Sequence, residues 1–97
     1  MTTTPAVHPG AILRAQFMEP QGLSASGLAI RLHVPAPRVN DIVRERRGIS
    51  PDSALRLARY FGGDAESWLS LQLAFDLRKA ELATASKIAR EIDPRAA

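Results

Sequence analysis

The chain predicts an all-α fold of five helices with a C-terminal helical extension, and three observations carry that prediction. Apolar residues recur at three- and four-residue spacing through most of its length. Serine, aspartate, proline and glycine stand where helices start and stop. No segment alternates convincingly with period two, so strands are neither needed nor supported.

The first helix opens near Pro9, whose missing N–H costs nothing in a first turn. Ile12, Leu13 and Phe17 mark its apolar face, and Pro20 with Gly22 stops it. Ser24 is a good N-cap for the second helix, where Leu23 can staple to Leu28. Leu28, Ala29 and Leu32 face the core before His33-Val34-Pro35 breaks the helix. The third begins near Ala36, tolerates Pro37 in its first turn, and carries Val39, Ile42 and Val43 at core spacing. Gly48 ends an arginine-rich loop. The fourth helix starts at Ser50 (N-cap), Pro51 and Asp52, and buries Ala54, Leu57, Ala58 and Phe61. Gly62-Gly63 closes it, and Asp64 caps the fifth.

That fifth helix is apolar on two sides. Trp68, Leu71 and Phe75 lie within about 60° on a helical wheel, and Leu69, Leu73 and Leu77 form a second stripe roughly opposite. One side can meet the core; the other is expected to meet a second copy of the chain or a different protein. Beyond Arg78 the pattern weakens, Thr84 and Ser86 are places where the helix could break, and Asp93-Pro94 ends it. The expected organisation is therefore one domain over 1–97, with a core over 8–81 and a partly frayed extension over 82–97.

Composition is that of an ordinary globular protein, 45% apolar and 24% charged. The absence of cysteine excludes a disulfide scaffold, a thiolate zinc site and a cysteine nucleophile. No apolar run approaches the ~20 residues that span a bilayer, and MTTTPAVHPG has neither the basic start nor the apolar stretch of a leader. The expected location is cytoplasmic, with no membrane contact. His8 and His33 stand apart from any metal-spaced carboxylates, and no phosphate-binding glycine loop is present. No enzyme, metal or cofactor is expected.

The net charge of +3 is unevenly placed. Arg31, Arg38, Arg44, Arg46 and Arg47 face only Asp41 and Glu45 between positions 31 and 47, so that segment alone accounts for the whole excess. A basic segment on a near-neutral body is the footprint expected of a phosphate-binding face. Over 24–43 the features of a helix-turn-helix coincide: small Ala29 where two helices approach, His33 in a turn that needs positive φ, and Val34 inserted beneath. The third helix would then be the recognition helix in the major groove. Arg38 is the first choice to read a base, through guanine O6 and N7. Pro37 can touch a thymine methyl, and Asp41 can either accept from a cytosine amino group or orient Arg38 from one turn away. Asn40, Arg44, Arg46 and Arg47, with Arg31 weaker, are assigned to phosphates.

Beyond the motif, HPGAILRAQFMEPQGLS and the run GLAIRLHVPAPRVNDIVRERRGISPDSALRLARYFGGDAESWLSLQLAFDLRKAE resemble the HigA-type antitoxins of the Xre/Cro helix-turn-helix superfamily over about positions 8–81. The resemblance implies a lambda-repressor-like domain that dimerises and binds a palindromic operator in its own promoter. It also implies that the protein neutralises a HigB toxin, an mRNA-cleaving ribonuclease of the RelE-like class. Two departures bear on the DNA grip. Ala25 stands where the superfamily commonly places a phosphate-binding glutamine, and Gly27 costs the second helix ~1 kcal/mol relative to alanine. Ser24 and Ser26 hydroxyls, the helix N-terminal amides and the loop arginines are expected to compensate. A stand-alone repressor without a toxin is the other reading the residues leave open.

Overall fold

The computed structural model describes residues 6–96 and contains helices without strands among them. Residues 1–5, on which part of the leader reading rests, lie outside it. The first helical run is compound: α1 (Pro9–Ile12) passes into a π-helical turn over Leu13–Met18 and a 3₁₀ turn over Glu19–Gln21. Four α-helices follow: α2 (Ala25–Leu32), α3 (Ala36–Val43), α4 (Pro51–Phe61) and α5 (Ala65–Glu91).

The starts follow the capping chemistry. Oxygens of Ser24, Ser50 and Asp64 accept from the amides of Gly27, Ser53 and Ser67, each three residues on. His8 caps α1 differently, its Nδ1 accepting from the Gly10 amide at 2.9 Å. Three of the stops also share one device. At Gly22, His33 and Glu45 the backbone turns left-handed, with φ of 63°, 58° and 63°. Each is followed by a 6→1 bond, from Leu23 N to Met18 O, Val34 N to Ala29 O and Arg46 N to Asp41 O. These are Schellman motifs, and two of the three lack glycine. His33 thus takes the positive φ that its place in the turn requires.

The π turn departs from the regular α-helix that Ile12, Leu13 and Phe17 suggest. Leu13 and Met18 are both buried although five residues apart. A regular α-helix would set them about 140° apart; the wider turn brings both inward. Phe17 then reaches the rings of Phe61 and Trp68, at centroid distances of 5.2 and 5.0 Å, and ties the first run to α4 and α5. Leu28, Ala29, Leu32, Val39, Ile42, Val43, Ala54 and Leu57 complete the core as their spacing predicts. Gly10 is what lets α1 lie on α3, because a Cβ there would stand 1.8 Å from the Ile42 carbonyl oxygen.

α5 runs unbroken through Thr84 and Ser86 to Glu91, and the Thr84 hydroxyl donates to the Ala80 carbonyl at 2.8 Å without interrupting it. Only its first half is covered. Trp68 is buried, Leu69, Leu71 and Phe75 are half-buried, and every described residue from Glu81 onward is exposed. The protruding helix gives the molecule its long dimension of 53 Å against 25 and 22 Å.

Candidate nucleic-acid interface

α3 turns Val39, Ile42 and Val43 inward. Pro37, Asp41 and Arg44 follow at i, i+4 and i+7 on the opposite face, with Asn40 beside them. Pro37 and Arg44 are exposed, and Asn40 and Asp41 half-buried. The helix ends in the Schellman motif at Glu45, which turns the chain sharply and leaves Arg44, Arg46 and Arg47 all exposed beside that face. Amides of Arg46 and Arg47 donate to the Asp41 carbonyl at 2.8 and 3.2 Å. The Asp41 carboxylate lies 3.7 Å from the Arg47 guanidinium. Asp41 therefore shapes the loop, and does not orient Arg38.

Arg38 sits about 100° round the helix from Pro37, on the flank that faces α4. Its partner is Asp52, in the first turn of α4. The Asp52 carboxylate also accepts from Arg56 Nε at 2.8 Å. The hydrogen bonds from Arg56 and then Arg38 hold the Asp52 carboxyl below its ordinary pKa of 3.8. Arg56 Nη1 donates onward to the Leu32 carbonyl at 2.9 Å, closing the C-terminal end of α2. Arg38, Arg47, Ser50, Asp52 and Arg56 thus line one open cleft of about 350 Å³. Arg56 is the residue sequence reasoning missed; its i, i+4 spacing from Asp52 is the signal that points to it.

The remaining assignments divide. Ser24 and Ser26 are both exposed at the start of α2. Ser24 Oγ accepts the Gly27 amide at 3.0 Å, which leaves its hydroxyl proton free to donate. Arg31 is exposed but stands apart, in a different cleft with His33, Arg59 and Tyr60. Of the second stripe on α5, Leu69 packs against the core, while Leu73 and Leu77 are 66% and 57% exposed. Among the described residues no helix is long and apolar enough to cross a membrane, and no group of three or more His, Cys, Asp or Glu could hold a metal ion.

Two further side chains hold the ends of the arginine loop. Ile49, buried at the end of the loop, donates its amide to Gln72 Oε1 of α5 at 2.7 Å. Gln72 Nε2 donates in turn to Asp76 Oδ1 at 3.0 Å. From the other side, Arg14 Nη1 donates to the Val43 carbonyl at 2.7 Å and holds the end of α3.

A helix-turn-helix family model matches residues 15–68. Virulence-associated protein I of Dichelobacter nodosus is 62% identical over 77 residues, covering 79% of this chain and 71% of that protein. The antitoxin HigA of Pseudomonas aeruginosa, solved with the higBA promoter, superposes with a TM-score of 0.91 at 47% identity, covering 94% of this chain and 99% of that one. The antitoxin GraA, solved in complex with its operator, superposes with a TM-score of 0.91 at 43% identity over 100% of this chain and 98% of that one.

Proposed function

The chain belongs to the Xre-type helix-turn-helix family, among the HigA-like antitoxins, and from that premise we propose that it binds a palindromic operator as a dimer, represses its own operon and neutralises an mRNA-cleaving toxin of the RelE-like HigB class. The observation that carries the DNA reading is the placement of Arg44, Arg46 and Arg47, exposed together beside the outward face of α3. In this reading α3 enters the major groove. Pro37 meets a thymine methyl, Arg38 reads guanine while Asp52 steadies it, and Asp41 reaches a cytosine amino group. Ser24, Ser26, Asn40 and the loop arginines hold phosphates on either side, with Arg31 a peripheral contact. The likeness to two antitoxins solved with promoter or operator DNA supports the same assignment.

Anisotropy titrations test it, with a duplex from directly upstream of the reading frame and a mixed-sequence duplex, between about 50 and 200 mM salt. Binding should weaken steeply with salt, by about 0.9 in the logarithmic slope for each phosphate neutralised. Arg46→Ala should weaken both duplexes alike and flatten the slope by ~1. Arg38→Ala should cost ~1–3 kcal/mol on the upstream duplex and relax preference at one base pair per half-site. Absence of salt-dependent binding to either duplex would sink the DNA reading. For the toxin, co-expression with the product of the adjacent reading frame is decisive. A complex in which that product no longer cleaves mRNA is the expected result; failure to co-purify or inhibit leaves the stand-alone repressor.

A further inference from the structure

Arg44 caps α3 and Arg46 and Arg47 lie in the loop after it, and the backbone at the far end of that loop is hydrogen-bonded to α5. Ile49 is 3% exposed and its amide lies 2.7 Å from Gln72 Oε1. Gly48 leaves room for the same amide group, since a Cβ there would stand 2.9 Å from Gln72 Nε2. The bond from Nε2 to Asp76 decides which way round the Gln72 amide lies, so that its oxygen faces the loop. Gln72 is a half-buried polar residue flanked by Leu71 and Leu73, whereas the other polar residue of the run 68–73, Ser70, is exposed.

We infer that Gln72 is a positioning residue for DNA binding: it touches no nucleic acid itself and sets the path of the loop that presents Arg46 and Arg47 to phosphates. The inference rests on the DNA reading above. Without the bond, Schellman closure still fixes the N-terminal side of the loop through Asp41 and the burial of the Ile49 side chain still anchors its far end, while the backbone from Arg46 to Ile49 loses its hydrogen bond to α5. Arginines on a loosened loop meet phosphates at a higher entropic cost, because the loop must be ordered on binding.

Gln72→Met keeps the volume against Gly48 and removes the acceptor, so it separates the hydrogen bond from packing. With the full chain and a mixed-sequence duplex, Q72M should bind about three- to tenfold more weakly at low salt, with the salt slope flattened by one to two phosphate contacts. Amide exchange at Ile49 should speed up while the thermal midpoint holds within a few degrees. Gln72→Glu, which keeps an oxygen acceptor, should retain the Ile49 protection that Q72M loses. A Q72M protein that binds the duplex with wild-type affinity and salt slope overturns the inference. Failure of the wild-type protein to bind would instead defeat the DNA reading, so the two are distinguishable.

Discussion

His33 and Glu45 show how single residues hold the geometry at a cost. Among the described residues they are the two non-glycines with positive φ, and each sits at the left-handed position of a Schellman motif. That conformation costs an L-residue roughly 1–2 kcal/mol, part of which glycine would return as extra freedom in the unfolded chain. His33→Gly and Glu45→Gly should therefore each stabilise the fold by about 0.5–1 kcal/mol, read as a higher urea midpoint at unchanged slope; a lower midpoint would mean the side chains contribute contacts that outweigh the strain. His8 makes a second residue-scale prediction. It is buried, its ring packs edge-on against Phe75 at 4.7 Å, and its Nδ1 must stay unprotonated to accept from Gly10. Desolvation pushes its pKa below the ordinary 6.5, against the raising influence of Glu45 and Asp76, while Lys79 adds to the lowering. The unfolded chain consequently takes up a proton first as pH drops. Stability from this group is complete above about 6.5 and is lost as pH falls through the lower folded value. Denaturant unfolding at pH 7.5, 6 and 5 should show that decline in the wild type. His8→Ser, which can still cap, should be less stable throughout but flat across the window; an equal decline in both would place the pH dependence elsewhere.

At the scale of elements, contacts between helices decide what no single helix can. α2, α4 and α5 are legible in the sequence because each start carries its own capping chemistry, as Ser24, Ser50 and Asp64 show, and α3, which has no side-chain cap, is legible from its proline-marked start and apolar spacing. The π turn is not, because Leu13 and Met18 are brought together by a five-residue spacing that the α-helical pattern does not contain. The outward set Pro37, Asp41 and Arg44 follows from the period of α3 alone. The partner of Arg38 does not, since Asp52 reaches it from a different helix. In the sequence Asp52 marks the start of α4, and its second role appears only where α3 packs beside that start. Two predictions follow from these contacts. Gly10→Ala places a Cβ where the Ile42 carbonyl already stands, so α1 must lift from α3. The loss should be about 3 kcal/mol, at the upper end for overpacking; a variant as stable as wild type would show that the first helical run can slide without penalty. Asp52→Asn removes a negative charge between two arginines while keeping the shape. It should raise affinity for mixed-sequence DNA and lower the preference for the upstream duplex, because Arg38 is then free to swing. A preference that is unchanged or sharper would deny Asp52 its steadying role.

At the scale of the whole molecule, the free half of α5 needs a cover. An isolated helix of a few turns is marginal in water, yet this one extends to Glu91 with Leu73, Leu77, Leu82 and Ile88 each at least half exposed. Leu73, Leu77, Ala80, Thr84 and Ile88 fall on one stripe, with the small residues in its middle, where two helices could cross closely. A second copy of the chain would cover it and hold two recognition helices in fixed relation, near the ~34 Å of one DNA turn that a palindrome demands. Dimerisation and operator affinity should then fail together. A Leu73→Glu, Leu77→Glu double variant should run at the monomer mass of 10.5 kDa in sizing experiments. Its helical content should be retained, because neither side chain is part of the monomer core, while its thermal midpoint should fall by the stabilisation that association supplies and lose its dependence on protein concentration. Operator affinity should fall by about 10²–10⁴, the factor lost when the second half-site is no longer bound intramolecularly, while mixed-sequence binding per chain should fall far less. If the variant remains a dimer, the stripe is not the contact between copies. Loss of co-purification with the neighbouring frame's product in that same variant would then assign the surface to the toxin.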